Sequence, residues 1–169
     1  MNLFIAESEI LEKVKILADK ISDDYANKEV VLLGVLKGSF PFLSDLGKAL
    51  TIPVKVDFIQ VRSYRGTNTS GNVELIKQPD ATLVKNKNVI LVEDIVDTGL
   101  TLEFILDYVK KLHPSSVAVA TLLYKKEKAN IPPDYYAIEI ADHFVVGYGM
   151  DLDEQYRTLR DIYTIDPVE

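Results

Sequence analysis

The sequence predicts an α/β fold: a single domain over residues 1–169, with a mostly parallel central sheet flanked by helices. Three observations lead there. Segments with apolar residues at helical spacing alternate along the chain with short, continuous apolar runs. The runs, such as Val30-Val31-Leu32-Leu33 and Val89-Ile90-Leu91-Val92, are apolar at every position, as in parallel strands covered on both faces. Hydrophobic residues make up 47% of the chain, enough for a full core, and no repeat, low-complexity tract or Pro/Gly/Ser linker divides it.

In chain order, the first helix is expected from Glu7 to Tyr25, where Ile10, Val14, Leu17 and Ile21 share one face. Glu29 to Val35 reads as a buried strand. A second helix follows from Phe40 to Leu50, with Phe42, Leu43, Leu46 and Leu50 inward. Pro53 to Val61 is a strand. Arg62 to Asn72 is polar and Gly-containing and reads as a mobile loop, after which Val73 to Ile76 returns as the other arm of a long hairpin. Asn88 to Val92 is the next strand. A helix then carries Leu102, Ile105, Leu106, Val109 and Leu112 on one stripe and stops at His113-Pro114. Val117 to Tyr124 is a strand. The Lys125-Lys126-Glu127-Lys128 run and Pro132-Pro133 mark a loop, and Tyr135 to Ile140 and Phe144 to Tyr148 are short strands. Beyond Asp151, a helical turn holding Tyr156, Arg157, Leu159 and Arg160 precedes a last strand at Tyr163 to Ile165.

Composition narrows the function classes. The chain has no Cys, which excludes disulfides and Cys-ligated metals. A net charge of −7 gives no support for broad nucleic-acid binding, which needs a basic face. The start lacks the basic and apolar regions of a secretory signal, and no apolar run approaches the roughly 20 residues that span a bilayer. The expectation is a cytoplasmic protein without nucleic-acid or membrane partners.

Val89 to Thr101 carries the chemistry. A buried strand leads into Glu93 and Asp94, then a turn with Asp97, Thr98 and Gly99, then a helix. Ligands of open α/β sheets bind at the carboxyl ends of strands. Backbone N–H groups of Thr98, Gly99, Leu100 and Thr101 at a helix start suit a phosphate monoester. Glu93 and Asp94 are out of place beside a bare phosphate. They fit a ligand that also presents ribose hydroxyls or a Mg²⁺ ion. Asp97, between these acids and the phosphate-facing amides, is placed to accept a proton from a base being attached to the sugar. Any one of these residues also reads as part of an ordinary strand-to-helix turn; the ordered set does not, because two acids after a buried strand serve no packing purpose.

Val89-Ile90-Leu91-Val92-Glu93-Asp94-Ile95-Val96-Asp97-Thr98-Gly99-Leu100-Thr101 resembles the signature that binds phosphoribosyl pyrophosphate (PRPP) in type I phosphoribosyltransferases. Nearly the full chain is similar to the hypoxanthine-guanine branch of that family. The likeness includes Gly34-Val35-Leu36-Lys37-Gly38-Ser39, Arg62-Ser63-Tyr64, Leu122-Leu123-Tyr124-Lys125 and Phe144-Val145-Val146-Gly147-Tyr148-Gly149-Met150-Asp151, with Arg157 after it. The resemblance implies a Rossmann-like sheet, a small hood from the N- and C-terminal segments, and a hairpin lid at about 62–73. It also implies Mg²⁺-dependent transfer of ribose phosphate from PRPP to a 6-oxopurine base, and a homodimer or homotetramer. By the same resemblance, Leu36, Lys37 and Gly38 form a pyrophosphate loop whose Leu-Lys peptide is often cis, which nothing in the sequence reveals. Glu93 and Asp94 hold the ribose hydroxyls and the metal, and Asp151 is a further metal contact beside the base. Asp97 lies near purine N7, and Asp97 to Thr101 bind the 5′-phosphate. Lys125 reads the 6-oxo atom, Phe144 stacks on the purine, Val145 reads the base edge, Arg157 contacts pyrophosphate, and Ser63 and Tyr64 belong to the lid. Other readings are open at this level: a phosphoribosyltransferase for xanthine or another base, a PRPP-sensing RNA-binding regulator, or a doubly wound module without catalysis.

Overall fold

The computed structural model describes residues 1–63 and 73–165. These form strands β1 (Asn2–Ile5), β2 (Val30–Leu36), β3 (Val54–Ser63), β4 (Val73–Lys77), β5 (Asn88–Val96), β6 (Ser116–Tyr124), β7 (Tyr135–Glu139), β8 (Val145–Val146) and β9 (Ile162–Thr164). Helices are α1 (Glu7–Asp24), α2 (Phe40–Ala49), α3 (Ala81–Val84) and α4 (Leu100–Lys110).

The main sheet has the order β4-β3-β2-β5-β6-β7. Every pairing in it is parallel except β3 with β4, the hairpin that the sequence predicts. Alternation along the strands sends residues to two cores. Val30, Leu32, Ile90, Val92 and Ala120 face α1 and α2, which contribute Ile10, Val14, Leu17, Ile21, Phe42 and Leu46. Val31, Leu33, Val89, Leu91 and Val119 face the other side, where Val84 of α3 and Leu102, Ile105 and Val109 of α4 pack. Both faces are dry, which is why the strands read as unbroken apolar runs. A second, antiparallel sheet of order β1-β9-β8 makes the small hood from the two ends of the chain.

Several elements depart from the sequence reading. β5 does not end at Val92: it continues to Val96, with Glu93 opposite Thr121 and Ile95 opposite Leu123 of β6. The two acids are therefore strand residues with sheet-fixed backbones. β1 and α3 lie in stretches that show no periodicity; α3 is one turn, started by the Asp80 carboxylate accepting from the Thr82 N–H at 2.8 Å. The strand expected at Phe144–Tyr148 shrinks to Val145–Val146. The helical turn expected beyond Asp151 is absent, because Asp153, Glu154 and Tyr156 have φ of 50°, 64° and 73°, outside right-handed helix geometry. Isolated bridges Gly147–Met150 and Leu152–Gln155 shape that segment instead.

The chain order reverses between β2 and β5: the crossover through α2 leads from β2 away to β3, while β6 and β7 follow on the other side of β5. Such a switch point opens a crevice at the carboxyl ends of the two strands, the expected place for a ligand.

Candidate active site

Three loops meet at that crevice. The first, Leu36-Lys37-Gly38, leaves β2, and its Leu36–Lys37 peptide is cis. Gly38 packs so closely on the Asp94 carboxylate that a Cβ there would overlap it. Gly149 of the hood lies against the Gly38 carbonyl in the same way. The Lys37 ammonium reaches across to the Glu154 carboxylate at 2.7 Å.

The second loop follows β5. Gly99 is the N-cap of α4 with φ of 90°, a left-handed conformation that glycine adopts without strain. This turn aims the first N–H groups of α4 outward, beside a cavity lined by Glu93, Ile95, Val96, Asp97, Thr98, Gly99, Thr101 and Leu102. Leu100, the first residue of α4, is largely exposed at its rim. The third loop follows β6 and is laced to the second: the Lys125 N–H donates to the Val96 carbonyl and the Asn130 N–H to the Thr98 carbonyl, each at 3.0 Å.

A second cavity is lined by Asp94, Ile95, Asp97, Lys125, His143, Phe144, Val145, Met150 and Asp151. Phe144 keeps 46% of its surface open here, unusual for a Phe beside a core strand and suited to a flat ring partner. Val145 is buried in β8. Asp97 and Ile95 line both cavities, so Asp97 stands between the two.

Electrostatics divides the site. Glu93 and Asp94 sit in dense protein surroundings, although each keeps a little surface toward the crevice. Burial, reinforced by Asp94, pushes Glu93 well above the usual carboxylate range. Burial also pushes Asp94 up to about 6, against hydrogen bonds from the backbone and the pull of Arg157. Glu93 Oε2 is buried without a partner. In contrast, Lys125, only 6% exposed, donates to Asp142 at 2.7 Å and to Asp97 at 3.5 Å. Arg157 donates to the Gly149 carbonyl at 2.8 Å and pairs with Asp151 at 2.8 Å and Glu154 at 3.2 Å.

Of the predicted residues, Glu93, Asp97, Thr98, Gly99 and Thr101 line the first cavity and Asp94, Asp97, Lys125, Phe144, Val145 and Asp151 the second, while Gly38, after Leu36 and Lys37, packs on Asp94 and Arg157 pairs with Asp151. Ser63 ends β3, and Tyr64 lies outside the described residues. Among the described residues, no three His, Asp or Glu side chains form a metal-binding group, so Glu93, Asp94 and Asp151 are not a preformed cage. Sequence reasoning missed Lys128 and Asp142, which flank Asp97 and Lys125.

A phosphoribosyl transferase domain model matches residues 5–155. A hypoxanthine-guanine phosphoribosyltransferase of Streptococcus mutans is 42% identical over 161 residues, covering 94% of this chain and 89% of that protein. The chain belongs to the hypoxanthine-guanine phosphoribosyltransferase family. Solved structures agree. A hypoxanthine-guanine phosphoribosyltransferase from Bacillus anthracis, with a HEPES molecule in its active site, matches at a TM-score of 0.92 and 41% identity over 98% of both chains. A hypoxanthine phosphoribosyltransferase from Trypanosoma cruzi, in a ternary substrates complex, matches at 0.88 and 37% identity, covering 98% of this chain and 95% of that one. The protein is therefore a phosphoribosyltransferase of purine salvage, with the type I fold that the resemblance implied. Among the described residues, no helix is long and apolar enough to cross a membrane.

Proposed function

We propose that the enzyme joins hypoxanthine or guanine to the ribose phosphate of PRPP, giving IMP or GMP and pyrophosphate, with Mg²⁺ required. The observation that carries this reading is that Asp97 lines both cavities. A phosphate-binding turn and a ring-stacking pocket that share one carboxylate suit a reaction at the sugar carbon between phosphate and base.

In this reading the α4 N–H groups with Thr98 and Thr101 hold the 5′-phosphate, and Glu93 and Asp94 accept from the ribose hydroxyls. Leu36, Lys37 and Gly38 take the pyrophosphate, with Arg157 behind them. Phe144 stacks on the purine. Lys125, a pure donor, selects the O6 acceptor and opposes the amino group of adenine. Backbone carbonyls near Val145 and Asp151 accept from the 2-amino group of guanine and oppose the 2-oxo group of xanthine. As the base nitrogen attacks the sugar, the proton on purine N7 passes to Asp97.

Glu93, Asp94 and Asp151 offer the hard oxygen ligands that Mg²⁺ takes, and the unpartnered Glu93 Oε2 fits a site that a ligand completes. These three carboxylates do not form a cage, so they would hold such an ion together with oxygens of the substrate and water. When bound it neutralises charge on the leaving pyrophosphate. A cytoplasmic location and assembly as a homodimer or homotetramer belong to the same reading, supported by the family relationship.

The test is direct: purified protein with PRPP, Mg²⁺ and each of hypoxanthine, guanine, xanthine and adenine, following nucleotide formation. Hypoxanthine and guanine are expected as substrates, xanthine as a poor one and adenine as none. Xanthine as best substrate, or no product with any base, overturns the reading.

A further inference from the structure

Lys125 and Asp97 do not stand alone at the base cavity. The Lys128 ammonium lies 3.0 Å from Asp97 Oδ1 and 3.1 Å from Asp142 Oδ1. Lys125 reaches the same two acids from the inner side. The four groups therefore form a closed ring of alternating sign, with each cation touching both anions. The backbone builds it. The third loop makes a turn in which the Lys128 N–H donates to the Lys125 carbonyl at 3.0 Å, which returns Lys128 over Asp97. The 141–144 segment brings Asp142 in beside Phe144.

The ring resolves a physical difficulty. A nearly buried ammonium needs an anion partner. If Asp97 were the sole partner of Lys125, the two would clamp together, and neither would be free for the base. Asp142 takes the short contact to Lys125 at 2.7 Å and leaves Asp97 at 3.5 Å. Lys128 meanwhile holds Asp97 from the solvent side. An ammonium has three N–H donors, so Lys125 keeps one beyond its two acids. The direction of two titrations agrees with paired charges: hydrogen bonds from Lys125 and Lys128 hold Asp142 below its ordinary value, and hydrogen bonds to Asp97 and Asp142 hold Lys128 above its own.

Resting on the functional reading above, we infer that Asp142 and Lys128 are positioning residues of this enzyme: Asp142 sets Lys125 for base selection, and Lys128 sets Asp97 for the chemical step. Neither needs to touch the purine. The experiment compares the parent with Asp142→Asn, Lys128→Gln and Lys128→Arg in steady-state kinetics with hypoxanthine, adenine and PRPP, together with melting temperatures. Asp142→Asn is expected to raise the KM for hypoxanthine about tenfold and to narrow the preference over adenine, with the KM for PRPP unchanged. Lys128→Gln is expected to lower kcat about tenfold, with Lys128→Arg restoring it because a guanidinium still reaches both acids. Parent-like constants in Asp142→Asn and Lys128→Gln overturn the inference. So do hypoxanthine and PRPP KM values that rise together as the melting temperature falls, which marks a purely structural role. A parent that does not use hypoxanthine overturns the functional reading itself, and this inference with it.

Discussion

The two acidic pairs of the crevice are built in opposite ways. Glu93 and Asp94 stand on a central strand, in dense surroundings, with no lysine on either, and burial raises both above the usual carboxylate range. Asp97 and Asp142 stand on loops at the rim, bracketed by Lys125 and Lys128. The difference separates two uses of a carboxylate. An acid only partly compensated, as Asp94 is by backbone N–H groups and Arg157, is costly to the fold and suits hydroxyl donors or a cation brought by a ligand. An acid already compensated costs little and serves to fix the direction of its partners.

The largest effect should come from removing the divalent ion proposed to sit with Glu93 and Asp94. Full chelation of divalent ions is expected to reduce nucleotide formation to background; undiminished turnover in excess EDTA breaks the assignment of Glu93 and Asp94. Next comes the acid that lines both cavities. Asp97→Asn should retain PRPP binding and lose about 10²–10⁴-fold in kcat, and a variant with parental turnover removes Asp97 as proton acceptor. On the compensated side, Lys125→Ala should cut the preference for hypoxanthine over adenine by roughly tenfold to a hundredfold, the scale set by an unpartnered polar group. An unchanged ratio would refute the role of Lys125.

Stability against pH sharpens the same contrast. Asp94 has a raised value of about 6, so between its unfolded value near 4 and that point the folded chain binds the extra proton. Its contribution is therefore present at low pH and lost as pH rises through about 6. Without ligand or metal, the stability of Asp94→Asn relative to the parent should rise from pH 4 to pH 7. The gain is on the order of 1–2 kcal/mol, discounted because the carboxylate keeps some surface toward the crevice. Denaturant melts at both pH values measure it; a relative stability that falls across this window contradicts the uncompensated state. The smallest effect belongs to the half-exposed Lys37–Glu154 pair. Glu154→Gln should change stability by less than about 1 kcal/mol, and a larger loss in the same melts would show that this pair ties the hood to the β2 loop.

Much of this was legible in the residues. The apolar runs of β2, β5 and β6 announced a sheet covered on both faces, and the stripes of α1, α2 and α4 gave their inward residues correctly. The ordered set from Glu93 to Thr101 reads as a sugar-phosphate site, and likeness over nearly the full chain indicates the family to which the chain belongs. The misses share a cause. β1 is short and exists because it pairs with the expected last strand, β9, across the length of the chain, which no local pattern records. The stretch after Asp151 carries ordinary residues at positive φ, held by contacts such as the Tyr148 N–H to the Leu159 carbonyl at 2.8 Å and the Gly149 N–H to the Arg157 carbonyl at 2.9 Å. Lys128 sits in a charged run that reads as a solvated face.

The sequence by itself determined the sheet, its two cores and the turn that carries Glu93, Asp94, Asp97 and Thr98, because hydrophobic period and turn chemistry are local and survive in a string of residues. Only the tertiary structure decided that β5 runs on through Glu93 and Asp94, that Gly38 seats against Asp94, and that Lys128 and Asp142 complete a ring with Lys125 and Asp97. Those are facts of distance between segments far apart in the chain. Whether a charge is compensated depends on which distant residue the fold sets within about 4 Å of it.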